Sequence, residues 1–328
     1  MQVIRGIRNL TGAPVNPVVT LGNFDGVHAG HQKIFEEVKS HARKIGGSAV
    51  VYTFDPHPLK ILAPEQNITL LTTFKKKMEL IAAYGMEMTI CADFTRAFAR
   101  MHPRDFALKL KNGLNMESVF VGHDYSFGQA KAGGIDYLKK MGDELGFKVY
   151  VVDEVMVDGE RVSSTVIRNL LNNGDILGAN RRLNRCYSIA GKVVSGYQRG
   201  RAIGFPTANL ETPYEVIPAV GVYAVFIRIG AGQWFEGVVN IGYNPTFNRD
   251  DFIVEAHLLD HSDDIYGKEI EVYFADRLRD ETRFTNVDEL KRQIAEDIEN
   301  ARKALERQKL SGGIIDPRES PLTRQLPG

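Results

Sequence analysis

Two imidazoles three residues apart, His28 and His31, close the stretch Gly22-Asn23-Phe24-Asp25-Gly26-Val27-His28-Ala29-Gly30-His31. An apolar run at 17–21 precedes it, and a periodic segment at 32–44 follows with Ile34, Phe35 and Val38 on one side. That order reads as a strand, a glycine-bearing turn and the opening of a helix. Backbone N–H groups at a helix start carry partial positive charge and point outward, which suits an anion. Imidazoles about one helical turn apart can face the same ligand. Gly22, Gly26 and Gly30 leave room for a polyphosphate to approach the backbone. Together these residues describe a site that holds a nucleoside triphosphate and stabilises charge on a phosphorus in transfer. Zinc binding and plain helix capping are the competing readings. Against zinc, Cys91 and Cys186 are isolated and no ligand cluster accompanies the pair. The stretch matches neither the dinucleotide fingerprint nor a P-loop.

Other residues able to do chemistry fall after further apolar runs. His57 sits between Pro56 and Pro58, which stiffen the chain there, and is either a fixed imidazole near a triphosphate or part of a turn. Asp124, in Gly122-His123-Asp124-Tyr125-Ser126-Phe127-Gly128, either accepts from an adenine amino group or ribose or caps a turn. Ser163, Ser164 and Thr165 open a helix, with Arg168 one turn beyond. Such hydroxyls cap N–H groups, and with the arginine they can also grip a leaving pyrophosphate. Further on, the stretch 191–210 carries Gly191, Gly196, Gly200 and Gly204, with Arg201 and then Phe205-Pro206-Thr207-Ala208-Asn209. Thr207 and Asn209 alternate, so an extended chain points both side chains to one face. Their oxygens are hard ligands suited to a magnesium ion on ATP phosphates; a loop shaped by Gly and Pro is the other reading. A kinase acting on an alcohol benefits from a base, and Glu236 and Glu255 are the strand candidates.

The elements that must position these residues change character along the 328-residue chain, a length that suggests two domains. Apolar runs at 18–21, 49–54, 88–92, 119–122 and 149–152 alternate with helical patterns such as 74–84, 104–110 and 135–145. This predicts a doubly wound parallel sheet, with ligands beyond the carboxyl ends of its strands. After a helical stretch ending near 183 and a connector at 184–186, strand runs follow without helices between them: 187–194, 222–229, 234–241, 252–259 and 269–274. They predict an antiparallel β-barrel, with a helix from 287 to about 307 packed across it. The expected division is 1–183, 184–310 and a mobile tail at 311–328. Lys+Arg and Asp+Glu both number 41, so charge offers no pull toward nucleic acid or an acidic membrane. Lone cysteines, a start without a long apolar core and no span-length apolar run point to a cytoplasmic chain without a signal peptide.

Gly-x-Phe-Asp-x-x-His-x-Gly-His resembles the signature of the nucleotidylyltransferase superfamily, which transfers a nucleotidyl group from a nucleoside triphosphate and releases pyrophosphate. Val121-Gly122 with Asp124 and Phe127-Gly128, then Ser163-Ser164-Thr165 with Ile167-Arg168, resemble the FMN adenylyltransferase module of bacterial bifunctional riboflavin kinase/FAD synthetases. The resemblance implies contacts to ATP phosphates from His28, His31, Ser164, Thr165 and Arg168, with Asn23, Asp25 and His57 lining the same pocket. Gly-x-x-x-Gly-Arg-x-x-Gly-Phe-Pro-Thr-Ala-Asn, Asn240-Ile241-Gly242, Pro245-Thr246-Phe247, Glu255 and Tyr266-Gly267-Lys268 resemble the riboflavin kinase domain. There it implies magnesium on Thr207 and Asn209, a catalytic Glu255, and a loop closing over flavin at Arg277-Leu278-Arg279 with Phe284. The implied substrates are riboflavin, FMN and ATP, with FAD as the final product. Ser126 departs from the family pattern on the flavin side, Gly134 replaces its usual Asp, and Asn184 and Cys186 depart from it at the joint. The same phosphate site would serve a nucleotidylyltransferase with another acceptor, and the same pockets a flavin sensor without activity.

Overall fold

The structure, a computed structural model, describes residues 1–128, 133–194, 204–230, 232–243, 252–311 and 316–319. Gly196, Gly200, Arg201 and the segment Pro245-Thr246-Phe247 lie outside the described residues. The chain divides into two compact units, Met1–Val162 and Ser163–Gly328. Among the described residues no helix is long and apolar enough to cross a membrane.

The first unit is built on a parallel sheet of six strands. Its strands are β1 (Gln2–Arg5), β2 (Val18–Leu21), β3 (Ala49–Asp55), β4 (Met88–Asp93), β5 (Ser118–Gly122) and β6 (Lys148–Val152). Across the sheet they run in the order β1-β4-β3-β2-β5-β6. The connecting helices are α1 (Ala29–Ile45), α2 (Pro58–Leu62), α3 (Phe74–Ala83), α4 (Arg96–Ala99), α5 (Pro103–Leu114) and α6 (Ile135–Leu145). A small hairpin, β7 (Met156–Val157) and β8 (Glu160–Arg161), ends the unit. Central strands of a parallel sheet are covered on both faces, so they read as continuous apolar runs. Val18, Val19, Val50 and Val51 are accordingly fully buried. β1 is an edge strand with only Ile4 buried, so its sequence carries no such run, and the sequence reading omits it. The sheet order reverses at β2, which has β3 on one side and β5 on the other. The loops after β2 and β5 therefore border the crevice where open α/β sheets bind ligands.

The second unit begins with α7 (Ser164–Asn172) and α8 (Ile176–Leu183) and continues into a closed antiparallel barrel. Its strands are β9 (Tyr187–Val194), β10 (Ala208–Glu211), β11 (Gly221–Ile229), β12 (Gln233–Tyr243), β13 (Phe252–Leu258) and β14 (Glu269–Arg279). Barrel closure follows the order β10-β13-β12-β11-β14-β9. Alternate side chains of a barrel strand point inward, but on β11 every residue is buried. The outward set there lies under α9 (Val287–Ser311), whose Ala301, Ala304 and Leu305 pack on Ala224, Phe226, Tyr273 and Ala275. β10 escapes the list of strands read from sequence because only Ala208 and Leu210 of its four residues are apolar. Of the segment 311–328, residues 311 and 316–319 are described. Asp316 and Pro317 are buried, and the Arg318 guanidinium lies 4.6 Å from the Phe226 ring centroid and 3.9 Å from Glu236.

Helix α9 is tied to the barrel by a buried ion pair. Nε and a terminal nitrogen of Arg279 donate to the two carboxylate oxygens of Asp297 at 2.8 and 2.7 Å. Asp297 is 4% exposed and also accepts from the Gln293 amide at 3.1 Å, whereas the Arg279 side chain is 23% exposed. Removing the arginine strands a buried carboxylate, while removing the aspartate leaves a cation that can reach water. Arg279→Ala should therefore destabilise the barrel unit by about 3–5 kcal/mol, and Asp297→Ala by less. Urea unfolding followed by the fluorescence of Trp234, the single tryptophan of the chain and a residue of β12, reads this directly.

Candidate active sites

After β2 the chain makes a turn that few sequences can adopt. Phe24, Gly26 and Val27 all have positive φ (54, 77 and 41°). Left-handed backbone is a marked outlier for a β-branched residue such as Val27, and it persists only where its surroundings hold it. The Asp25 carboxylate, 4% exposed, accepts from the backbone N–H groups of Leu71 and Thr72, both at 3.2 Å. The Gln32 amide donates to the Val27 carbonyl at 2.8 Å. The glycines serve the turn itself rather than open space. A Cβ on Gly26 would lie 2.7 Å from Leu71, and one on Gly30 would lie 3.3 Å from the His28 ring.

His28 is the N-cap residue of α1, and the first intrahelical bond runs from Gln32 N–H to its carbonyl. The N–H groups of residues 29–31 consequently point out of the helix end, beside the imidazoles. The rings of His28 and His31 stack with centroids 3.6 Å apart and planes 18° from parallel, and Phe24 meets His31 edge-on at 5.1 Å. The two histidines thus form one unit at the sheet's switch point. His57 caps α2, its Nδ1 accepting from Leu59 N–H at 3.2 Å, so Nε2 carries the proton of the neutral ring. Asp124 follows β5 and forms an exposed ion pair with Arg161 of β8.

Aromatic rings that the sequence reading gave no role gather in one cluster of this unit. Phe54 packs edge-on with Phe94 and Phe98 at 5.4 and 5.7 Å. Phe98 reaches Phe106, Phe106 reaches Phe127, and Phe127 stacks on Tyr125 at 5.6 Å. Phe98 and Tyr125 are only partly buried. Phe54 is the penultimate residue of β3, Phe94 follows β4 and Tyr125 follows β5, so the cluster lies toward the carboxyl ends of the strands. The residues are scattered over five segments, and nothing local in sequence joins them.

Ser164, Thr165 and Arg168 fall in the second unit, on the first two turns of α7. The cap is Ser163, whose hydroxyl accepts from Val166 N–H at 3.2 Å. Capping is therefore accounted for without Ser164 and Thr165.

On the barrel, Glu255 of β13 stands directly across from Asn209 of β10 and from Asn240 of β12. Directly opposed residues share a sheet face. Val254 and Ala256 point into the core at 2% and 0% exposure, so Glu255 and its two partners occupy the outer face. The Phe-Pro-Thr segment is fastened to the same strand: His257 Nδ1 donates to the Pro206 carbonyl at 2.7 Å, and its ring meets Phe205 at 6.0 Å. His257, which the sequence reading left without a role, thereby holds Thr207 next to the Glu255 row. Glu236 lies four residues from Asn240 on β12, about 13 Å away along the strand. It faces Arg318 instead. Gly191 sits where a side chain would strike the Glu211 carbonyl. Gly204 has φ of 93°. Arg277 donates to the Val220 carbonyl at 2.7 Å and pairs with Asp280 at 2.8 Å, and Arg279 is held by Asp297. Both arginines have protein partners in this structure.

Comparison with known proteins assigns a family model to each part of the chain. Residues 12–166 match the family model for FAD synthetase, and residues 183–305 match the one for riboflavin kinase. The bifunctional riboflavin kinase/FMN adenylyltransferase of Escherichia coli K12 is 38% identical over 305 residues, covering 92% of this chain and 97% of its own. The Buchnera aphidicola (strain APS) protein of the same name is 36% identical over 301 residues, covering 91% and 96%. A solved structure from Streptococcus pneumoniae, a protein named macrolide-efflux protein, matches with TM-score 0.85 and 32% identity over 92% of this chain and 99% of its own. With both enzyme domains present in that order, the chain belongs to the bifunctional riboflavin kinase/FMN adenylyltransferase family, which makes FAD from riboflavin in two ATP-dependent steps.

Proposed function

We propose that the two steps run at separate sites, adenylyl transfer in a domain of residues 1–183 and the kinase reaction in a domain of residues 184–310. The observation that carries this reading is the division of the chemistry: the stacked His28/His31 pair belongs to one unit and the Glu255 row to the other. In the kinase, Glu255 takes the proton of the ribityl 5′-hydroxyl. That oxygen attacks the γ-phosphorus of ATP, the bond to the β-phosphate oxygen breaks, and FMN and ADP result. The Thr207 hydroxyl and Asn209 amide oxygen, beside the Glu255 carboxylate, form a hard-oxygen set that fits magnesium. When bound, the ion would offset charge on the ATP phosphates.

In the adenylyltransferase, an oxygen of the FMN phosphate attacks the α-phosphorus of a second ATP and pyrophosphate leaves. The attacking monoester is already largely ionised at pH 7, so the step needs no base. Catalysis is positioning and electrostatics from His28, His31 and the first turn of α1. Gly22, Asn23, Phe24 and Asp25 shape the turn, and His57 and Asp124 border the ATP pocket. The partly exposed Phe98 and Tyr125 offer flat surfaces for the isoalloxazine ring. Arg277 and Arg279 border the flavin loop of the kinase. Two buried free cysteines suit a reducing cytoplasm as the place of action.

Separate sites make opposite losses. His28→Ala should cut FAD formation from FMN by about a hundred- to a thousandfold while riboflavin phosphorylation continues. Glu255→Gln should cut FMN formation by about a hundredfold or more and leave conversion of supplied FMN unchanged. Chromatography of the flavins formed from riboflavin or FMN with ATP and magnesium separates the outcomes. A folded variant losing both activities would refute the two-site assignment.

A further inference from the structure

A buried lysine lies behind the turn that carries His28 and His31, and the mechanism above does not use it. Lys77 belongs to α3 and is 9% exposed. Its ammonium donates to the Asn23 carbonyl at 3.3 Å, the Thr53 hydroxyl at 3.4 Å and the Phe54 carbonyl at 3.2 Å. The Thr53 hydroxyl in turn donates to the same Asn23 carbonyl at 3.2 Å. An ammonium has three protons, and here each has its own acceptor. The acceptors come from the residues following β2 and from the end of β3, so one side chain ties together the two segments that lead to His28/His31 and to His57.

We propose that Lys77 is a positioning residue for adenylyl transfer, bracing the turn after β2 against the end of β3. This rests on the assignment of His28 and His31 to that site. Two further observations support it. The turn it holds begins the run of positive φ at Phe24, Gly26 and Val27, a conformation that needs outside support. Among the described residues no carboxylate forms an ion pair with Lys77, so its hydrogen bonds go to these two segments alone. Burial pulls its pKa below the ordinary lysine range, opposed by Cys91, Asp25 and Asp55 and reinforced by Arg5.

The test compares Lys77→Met, Lys77→Arg and His28→Ala in the full chain, with riboflavin kinase turnover as an internal control. The folded fraction of each variant is measured by circular dichroism at the assay temperature. Lys77→Met is expected to lower kcat for FAD formation per folded molecule about a hundredfold, the size of loss that misplacing reacting groups causes. Kinase kcat should stay at the wild-type value, and Lys77→Arg should recover part of the lost rate. If the loss in Lys77→Met merely tracks its unfolded fraction, with wild-type kcat per folded molecule, Lys77 is structural and the inference is overturned. If His28→Ala itself retains FAD formation, the site assignment falls instead, whatever the lysine variants do.

Discussion

The turn after β2 holds left-handed backbone at two residues with side chains that disfavour it, Phe24 and Val27. Conformations of this kind cost about 1–3 kcal/mol each and survive only where neighbouring contacts leave no alternative. Here the contacts arrive from three directions. Asp25 grips the backbone before α3, Gln32 reaches back from α1, and Lys77 reaches up from α3. The result is a rigid start to α1, with two imidazoles stacked beside outward-pointing N–H groups at the reversal of strand order. An anion placed there meets fixed dipoles that need no reorganisation, which is the most effective electrostatic arrangement for moving a phosphorus centre.

The barrel meets the same demand for rigidity by other means. Its polar row, Asn209, Glu255 and Asn240, comes from three adjacent strands at one level, and the ladder alone sets the spacing. Strand registers are strongly specified when the opposite face is buried, and Val254, Ala256, Val239 and Ile241 bury it. No residue of the row needs unusual backbone. The covering helix and the segment at 316–319 occupy other parts of the outer surface, where they hold Glu236 and Arg279 in ion pairs.

Much of the architecture was legible in the residues themselves. The buried parallel strands and the helices between them announce themselves because apolar periodicity records burial. The antiparallel barrel was legible for a related reason, in consecutive strand runs broken by Gly, Pro and Asn. Elements escaped where burial is slight or the segment short, as for β1 at the sheet edge and the four-residue β10. Composition likewise does not report that Asp316 and Pro317 are buried or that Arg318 meets the Phe226 ring of β11.

Within the sites, the sequence by itself determined which chemical groups are available. A histidine pair at a helix start, hydroxyl and amide oxygens two residues apart, and a strand glutamate are all local patterns, written in residue type and spacing. Only the tertiary structure decided what each group does there. It made Asp25 a clasp for its own turn and His57 a helix cap, and it gave Arg277 and Arg279 partners within the protein. It also brought in Lys77, His257 and the aromatic cluster, none of which has a local signature. The reason is physical: hydrogen bonds act over a few ångströms, and the partners of Lys77 and His257 lie 23 to 54 positions away along the chain.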